Sequence, residues 1–180
     1  MSNWTNFNRL DDIYNNIAIK IVNNDKIAKL LYYPDANALD KPNLTQDQKL
    51  GLIRQTDRDK CRIFNIAPTY FVTEGQRAEI RIYEASISSI DPYKGRVRYS
   101  FDIVCHQELW VLSNGQRRVM QIIIEILSEL NGEDVGSIGK MAFFNNRHQD
   151  MLKYKFYNDV MTGYQLFGFV LTGGASNDEC

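Results

Sequence analysis

Cys105 and His106 stand side by side in the stretch RYSFDIVCH, a thiol next to an imidazole, the residue types of a nucleophile and its base. That stretch alternates like a strand, and neighbours in a strand point to opposite faces, so the two are expected not to meet. Asp102 and Glu108 raise a second chemistry, in which acidic residues hold magnesium against a phosphate. Glu108 runs into Leu109-Trp110 with no lysine close by, which leaves that pattern incomplete. Asp57 and Asp59 flank Arg58 in a polar run and read as a solvated loop before they read as a cation site. His148 lies in an Asn-, Arg- and Gln-rich turn. The glycines at 132, 136 and 139 lack the spacing of a phosphate loop or a dinucleotide fingerprint. No catalytic residue, metal or cofactor is specified, and the expectation is a protein that is not an enzyme.

A second group of residues suits contact better than turnover. Arg81, Arg96 and Arg98 lie near Tyr83 and Tyr99 in sequence, the ingredients of a base-stacking surface. Tyr99 shares its face with Phe101 and Ile103, so the core claims it first. The arginine face is expected to be solvated, with cross-strand ion pairs to Glu79 or Glu84, or to meet another subunit. Trp110, Tyr93, Phe143, Phe144, Phe167 and Phe169 are more large aromatics than a sheet under one helix layer needs, which favours assembly.

These residues have to be carried by strands and one long helix. Val97, Tyr99, Phe101, Ile103 and Cys105 alternate with Arg96, Arg98, Ser100, Asp102 and His106, the two-residue period of a half-buried strand. Val119, Ile122, Ile123, Ile126, Leu127 and Leu130 then recur at helical spacing, with Ser113 and Gln116 at capping-box distance and Asn131-Gly132 to end the helix. Ahead of the strand, Ile80 and Ile82 share one parity and Ala85 and Ile87 the other, which predicts a bulge near Glu84. Residues 91–95 have the proline and glycine of a hairpin loop joining the two strands. Toward the N-terminus, Phe7, Leu10, Ile13, Tyr14, Ile17 and Ile21 predict an amphipathic helix capped by Thr5 or Asn6. A shorter helix stops before Pro34, a loop arm spans about 34–45, and Thr45 with Gln48 opens a third helix through Ile53. A short strand is expected at 62–66, another at 138–144, an irregular or strand segment at 150–159, and a final strand at 164–171. The expected class is α+β: a mostly antiparallel curved sheet with a long hairpin, packed by one central amphipathic helix and N-terminal helices. The chain reads as a single domain, 1–180, with a flexible tail at 173–180.

Bulk properties narrow the partners. Twenty-one basic and 22 acidic residues nearly cancel, which gives no general pull toward nucleic acid or a membrane surface. Cys61, Cys105 and Cys180 are odd in number and widely spaced, unlike a disulfide framework or a zinc motif, and fit a reducing compartment. No signal peptide is legible and no run approaches the roughly 18 apolar residues of a membrane span. A soluble protein of intracellular origin, without a membrane partner, is expected. Asn3-Trp4-Thr5 and Asn43-Leu44-Thr45 match the glycosylation sequon by chance in such a protein.

The order of elements resembles the tail terminator, or tail completion, proteins of tailed bacteriophages, and more loosely other neck proteins. The stretches that carry the resemblance are RVRYSFDIVCHQELWVLSNGQRRVMQIIIEILSELNG and DVMTGYQLFGFVLTGG. The composition, rich in asparagine, isoleucine and tyrosine, suits an AT-rich phage genome. The resemblance implies a virion structural protein assembled in the host cytoplasm, whose subunits form a ring, usually of six, that caps the tail tube. Its partners would be further copies of itself, the tail tube protein and a head-tail connector protein, with DNA passing through the lumen without specific binding. Ring closure needs two unlike patches per subunit. The candidate interface residues are Arg81, Tyr83, Tyr93, Lys94, Arg96, Arg98 and Trp110, with the arm at 34–45. Alternatives are another head-tail connector or stopper, a nuclease-like enzyme, or a nucleic-acid-binding adaptor.

Overall fold

A computed structural model of the chain describes residues 10–67, 75–90, 95–136, 139–143 and 151–172. Its N-terminal helices follow the apolar spacing of the sequence. Helix α1 (Leu10–Asn23) buries Ile13, Ile17, Ala18, Ile21 and Val22. Helix α2 (Asp25–Tyr32) opens at Asn24, whose side chain accepts hydrogen bonds from the amides of Lys26 and Ile27. It ends two residues before Pro34, as proline requires. A 3-10 turn at Ala38–Asp40 leads to α3 (Gln46–Gly51), which carries the expected capping box between Thr45 and Gln48. The expected caps Thr5 and Asn6, with Phe7, lie outside the described residues.

Among the described residues the sheet has six strands: β1 (Ile63–Phe64), β2 (Ala78–Ser89), β3 (Gly95–His106), β4 (Met141–Ala142), β5 (Leu152–Phe156) and β6 (Met161–Thr172). Their order is β1-β2-β3-β6-β4, with β5 also paired to β6. Among the described residues only the β1–β2 pair is parallel. The α+β class and the mostly antiparallel sheet with its long hairpin stand as expected. The bulge stands too: the β2–β3 register shifts between Glu84 and Ser86, so Ile82 opposes Phe101 and Ile87 opposes Val97, both on the helix face. The segment at 150–159 resolves to strand β5, and the last strand starts at Met161.

Helix α4 (Arg118–Leu130) lies over the sheet with α1 and α2 and buries Val119, Ile122, Ile123, Ile126 and Leu130 against Tyr99, Phe101, Ile103 and Cys105. Burying one such isoleucine is worth about 1.5–3 kcal/mol relative to leaving it exposed, so this stripe is a major source of stability. Asn131 caps the end, and Gly132 takes the left-handed conformation at φ 82°.

The start of α4 corrects the sequence. Ser113 and Gln116 do not cap it, because a tight turn intervenes: Leu112 and Gln116 share a backbone hydrogen bond, Asn114 takes the Gln116 amide on its side chain, and Val111 bridges Arg117. The helix begins at Arg118, and Arg117 at the cap position makes no side-chain capping bond. Asn and Gly at 114–115 satisfy the turn locally, and Gly115 at φ 78° fixes it.

Candidate functional site

The sheet has two unlike faces, and β3 reads out both. Odd residues 97–105 turn toward the helices, while Arg96, Arg98, Ser100, Asp102, Val104 and His106 turn to the opposite, outer face. Cys105 therefore sits in the core and His106 does not. The His106 Nδ1 accepts the Glu108 amide at 3.3 Å, and burial pushes the Cys105 thiol up to about 12. The two side chains are not brought together.

The outer face is a polar layer under a lid of flat side chains. Glu79 and Arg81 are both buried, and Arg81 donates to Glu79 from Nε (3.1 Å) and Nη2 (2.8 Å), while Arg77 pairs with the same carboxylate. The Arg81 guanidinium lies 4.8 Å above the Phe64 ring. Beside it runs a closed hydrogen-bond circuit. Gln165 donates to Tyr83 Oη and Ser100 Oγ, both at 2.9 Å, and those two hydroxyls donate to Asp102, Ser100 at 3.0 Å. Asp102 is fully buried, and the neighbouring Tyr157 phenol is pushed far above its ordinary range, by burial first and by the Asp102 charge second. This carboxylate is occupied by hydroxyl donors inside the fold. Glu108 is elsewhere, exposed in the 3-10 turn at Gln107–Leu109, where Gln76 bonds it.

Farther along the hairpin, Arg98 stacks on Phe167 at 3.8 Å and Arg96 on Phe169 at 5.7 Å, because β6 places each phenylalanine on the same face, diagonally two residues from its arginine's cross-strand position. The expectation of a solvated arginine face with cross-strand ion pairs is corrected. Arg81 is buried, its ion pair runs two residues along its own strand, and Arg96 and Arg98 lie half-buried on aromatic rings. Ile87, Ile90 and Leu171 leave an exposed apolar fringe at that end of the sheet.

Trp110 belongs to neither group. It stacks on Tyr164 (6.4 Å between centroids, 29° between planes) on the helix face, and Tyr154 contacts both rings edge-on. Phe156, 75 % exposed, packs edge-on against Tyr154. The candidate set is thus divided: Arg81, Tyr83, Arg96 and Arg98 share the outer face, and Trp110 lies on the other. Tyr93 and Lys94 lie outside the described residues. The sequence missed the aromatic cluster because Tyr154 and Phe156 fit a helix or a strand equally well until the pairing with β6 is known.

The arm at 34–45 is bolted down by a residue that no motif marks. Arg118 is fully buried and donates to four backbone carbonyls: Leu109 (2.9 Å), Leu30 (2.6 Å), Tyr33 (3.0 Å) and Asp35 (2.5 Å). The Leu30 carbonyl would meet the amide of residue 34 if α2 continued, and Pro34 has none. The guanidinium supplies the missing donor. Lys29 adds bonds to the carbonyls of Leu39 and Lys41. Burial lowers the Arg118 pKa, partly offset by Cys105 and Asp35.

Among the described residues no cluster of three or more His, Cys, Asp or Glu side chains is placed to hold a metal ion, and no helix is long and apolar enough to cross a membrane. Comparison with curated proteins finds no match. Comparison with protein families finds one: the YomW family model matches residues 24–167, about four fifths of the chain, from α2 to β6. The chain belongs to the YomW family, a match that points to phage origin.

Proposed function

We propose, from the premise that this YomW-family chain comes from a phage, that it is a virion structural protein: a ring subunit at the neck that caps the tail tube and joins tail to head. The observation that carries the reading is the outer face of the long hairpin, where Arg96 and Arg98 lie on Phe169 and Phe167 beside exposed Leu171, with Ile87 and Ile90 also exposed at that end of the sheet. Arginine on aromatic rings, with apolar side chains left in water, is the make-up of a protein contact surface. A base-stacking role suits it less, since the rings nearest the arginines are already covered by them. A carboxylate chemistry draws no support from Asp102, whose oxygens are bonded inside the fold.

In this reading the rim that carries the hairpin end docks on one neighbour in the neck, and the opposite rim on the other. A connector or stopper would use the same surfaces with different partners. The test is the mass of the purified full chain by light scattering, with electron micrographs of the same peak. Rings of about six subunits support the reading, and a chain that stays monomeric at every concentration argues against it. In the phage, deletion of the gene should leave filled heads and tails unjoined; normal joined particles from the deletion would overturn the neck assignment.

A further inference from the structure

The two ends of the sheet are open among the described residues. On one side β1 covers β2 only at Ile80 and Arg81, so residues 82–89 of β2 have no outer partner strand. On the other side β5 pairs inward with β6 and has no outer partner. We propose that these are the two halves of one subunit interface: the β5 edge of one copy pairs with the β2 edge, residues 82–89, of the next, making a single sheet that runs from subunit to subunit. This rests on the ring reading above and specifies its contact.

Direction and face each fit. Strands β2 and β6 run one way and β3 and β5 the other. A second copy in the same orientation therefore sets its β2 antiparallel to β5, which continues the alternation of the sheet. The side chains then match by face. Tyr154 and Phe156 share the helix face with Ile87, while Lys153 and Lys155 share the outer face with Ser86 and Ser88. Strand β5 carries two lysines, both on the outer face, where residues 82–89 carry no charge; Glu84 lies opposite Tyr99 on the helix face. Two β5 edges meeting each other would oppose lysine to lysine, which costs stability, so unlike edges are the favoured pair.

The offset between the edges suits closure. Tyr154 lies level with Tyr164, Ile103 and Ile80 across the sheet, whereas the free part of β2 is centred five or six residues farther along. At about 3.3 Å per residue and about 4.8 Å per strand, that shift over four strands inclines the strands by roughly 40°, within the tilt of closed sheets. Unlike edges joined with such a stagger build a ring where the rotation from copy to copy closes.

The hydrogen-bond phase supplies the test. The Phe167 amide donates to the Met151 carbonyl, so odd residues of β5 bond to β6 and the Tyr154 amide points outward. Likewise the Ile80 amide reaches Arg62 and the Arg77 carbonyl reaches His106, so the Glu84 amide points away from β3. Tyr154→Pro and Glu84→Pro each remove one outward donor, while Tyr154→Thr and Glu84→Gln keep it. Native mass spectrometry of the full chain should show multimers for the wild type and the two controls and monomers for each proline variant. A one-to-one mixture of the proline variants should give dimers, since each retains one good edge. Multimeric proline variants with wild-type circular dichroism would overturn the edge pairing and leave the ring reading intact. A mixture that stays monomeric would overturn the head-to-tail arrangement. A monomeric wild type would overturn both. Should the proline variants misfold, Phe156→Glu, on the same face as Glu84, should weaken association roughly tenfold, and adding Glu84→Lys should restore it; failure of that rescue also refutes the pairing.

Discussion

Replacing Arg118 by methionine should loosen the arm at 34–45 and cost a large part of the stability of the fold. Methionine keeps the length of the side chain and removes the guanidinium, so four carbonyls lose their donor at once. Hydrogen bonds from a charged donor are worth about 1.5–3 kcal/mol each, which for four is roughly 6–12 kcal/mol gross. Relief from burying a cation offsets several kcal/mol of this. The Asp35 carbonyl also keeps its bond from the Ala38 amide. A net loss of about 3–5 kcal/mol remains, matching what removal of one member of a buried charged network generally costs.

In a domain of this size each kcal/mol shifts the melting temperature by about 2–4 °C, so Arg118→Met should melt about 10 °C lower. Arg118→Lys retains the charge and reaches fewer carbonyls, and should fall between. Urea unfolding monitored by circular dichroism gives the stability, and limited proteolysis gives the location, with new cleavage between Pro34 and Lys41 in the variant. A loss below about 1 kcal/mol, or cleavage confined to other segments, would show that water replaces the guanidinium without cost and would refute the account.

Three further outcomes follow from the same structure. Gly163→Ala places a Cβ 1.9 Å from the Ile103 carbonyl oxygen, so the β3–β6 pairing must shift; a loss of about 3 kcal/mol or more, or insoluble protein, is expected on expression and thermal melting. Cys105 and Tyr14 are both raised to about 12, mainly by burial, whereas the same groups ionise nearer their ordinary values once unfolded. Their stabilisation is complete below about pH 9 and lost as pH rises toward 12, so the urea midpoint should fall across that window, and a flat midpoint between pH 9 and 11 would count against it. Arg98→Ala uncovers the Phe167 ring and should cost about 1 kcal/mol in the isolated chain while weakening assembly more; equal effects on melting and on oligomer mass would place Arg98 outside the interface.

The elements of this protein follow from local physics. The period-two run from Val97 to Cys105, the period-3.6 stripe from Val119 to Leu130, the Thr45–Gln48 box and the stop before Pro34 each depend on a few neighbouring residues, and each is legible in the sequence. The bulge after Glu84 is legible as well, because a change of hydrophobic parity is itself a local signal. What the sequence leaves open depends on partners distant in the chain. Leu152 to Phe156 becomes a strand only because β6 offers it a ladder. Arg81 is buried because Glu79 pairs with it and the Phe64 ring lies against it, although its alternation with apolar neighbours reads as a solvated position. Arg118 sits where an exposed first-turn residue is the ordinary expectation, yet its reach to a carbonyl that Pro34 leaves without a donor pulls it inside. Periodicity determined which residues lie on a common face. Only the tertiary structure decided what each face meets and which strand edges remain open, since those depend on strand order and on hydrogen-bond donors supplied from far along the chain.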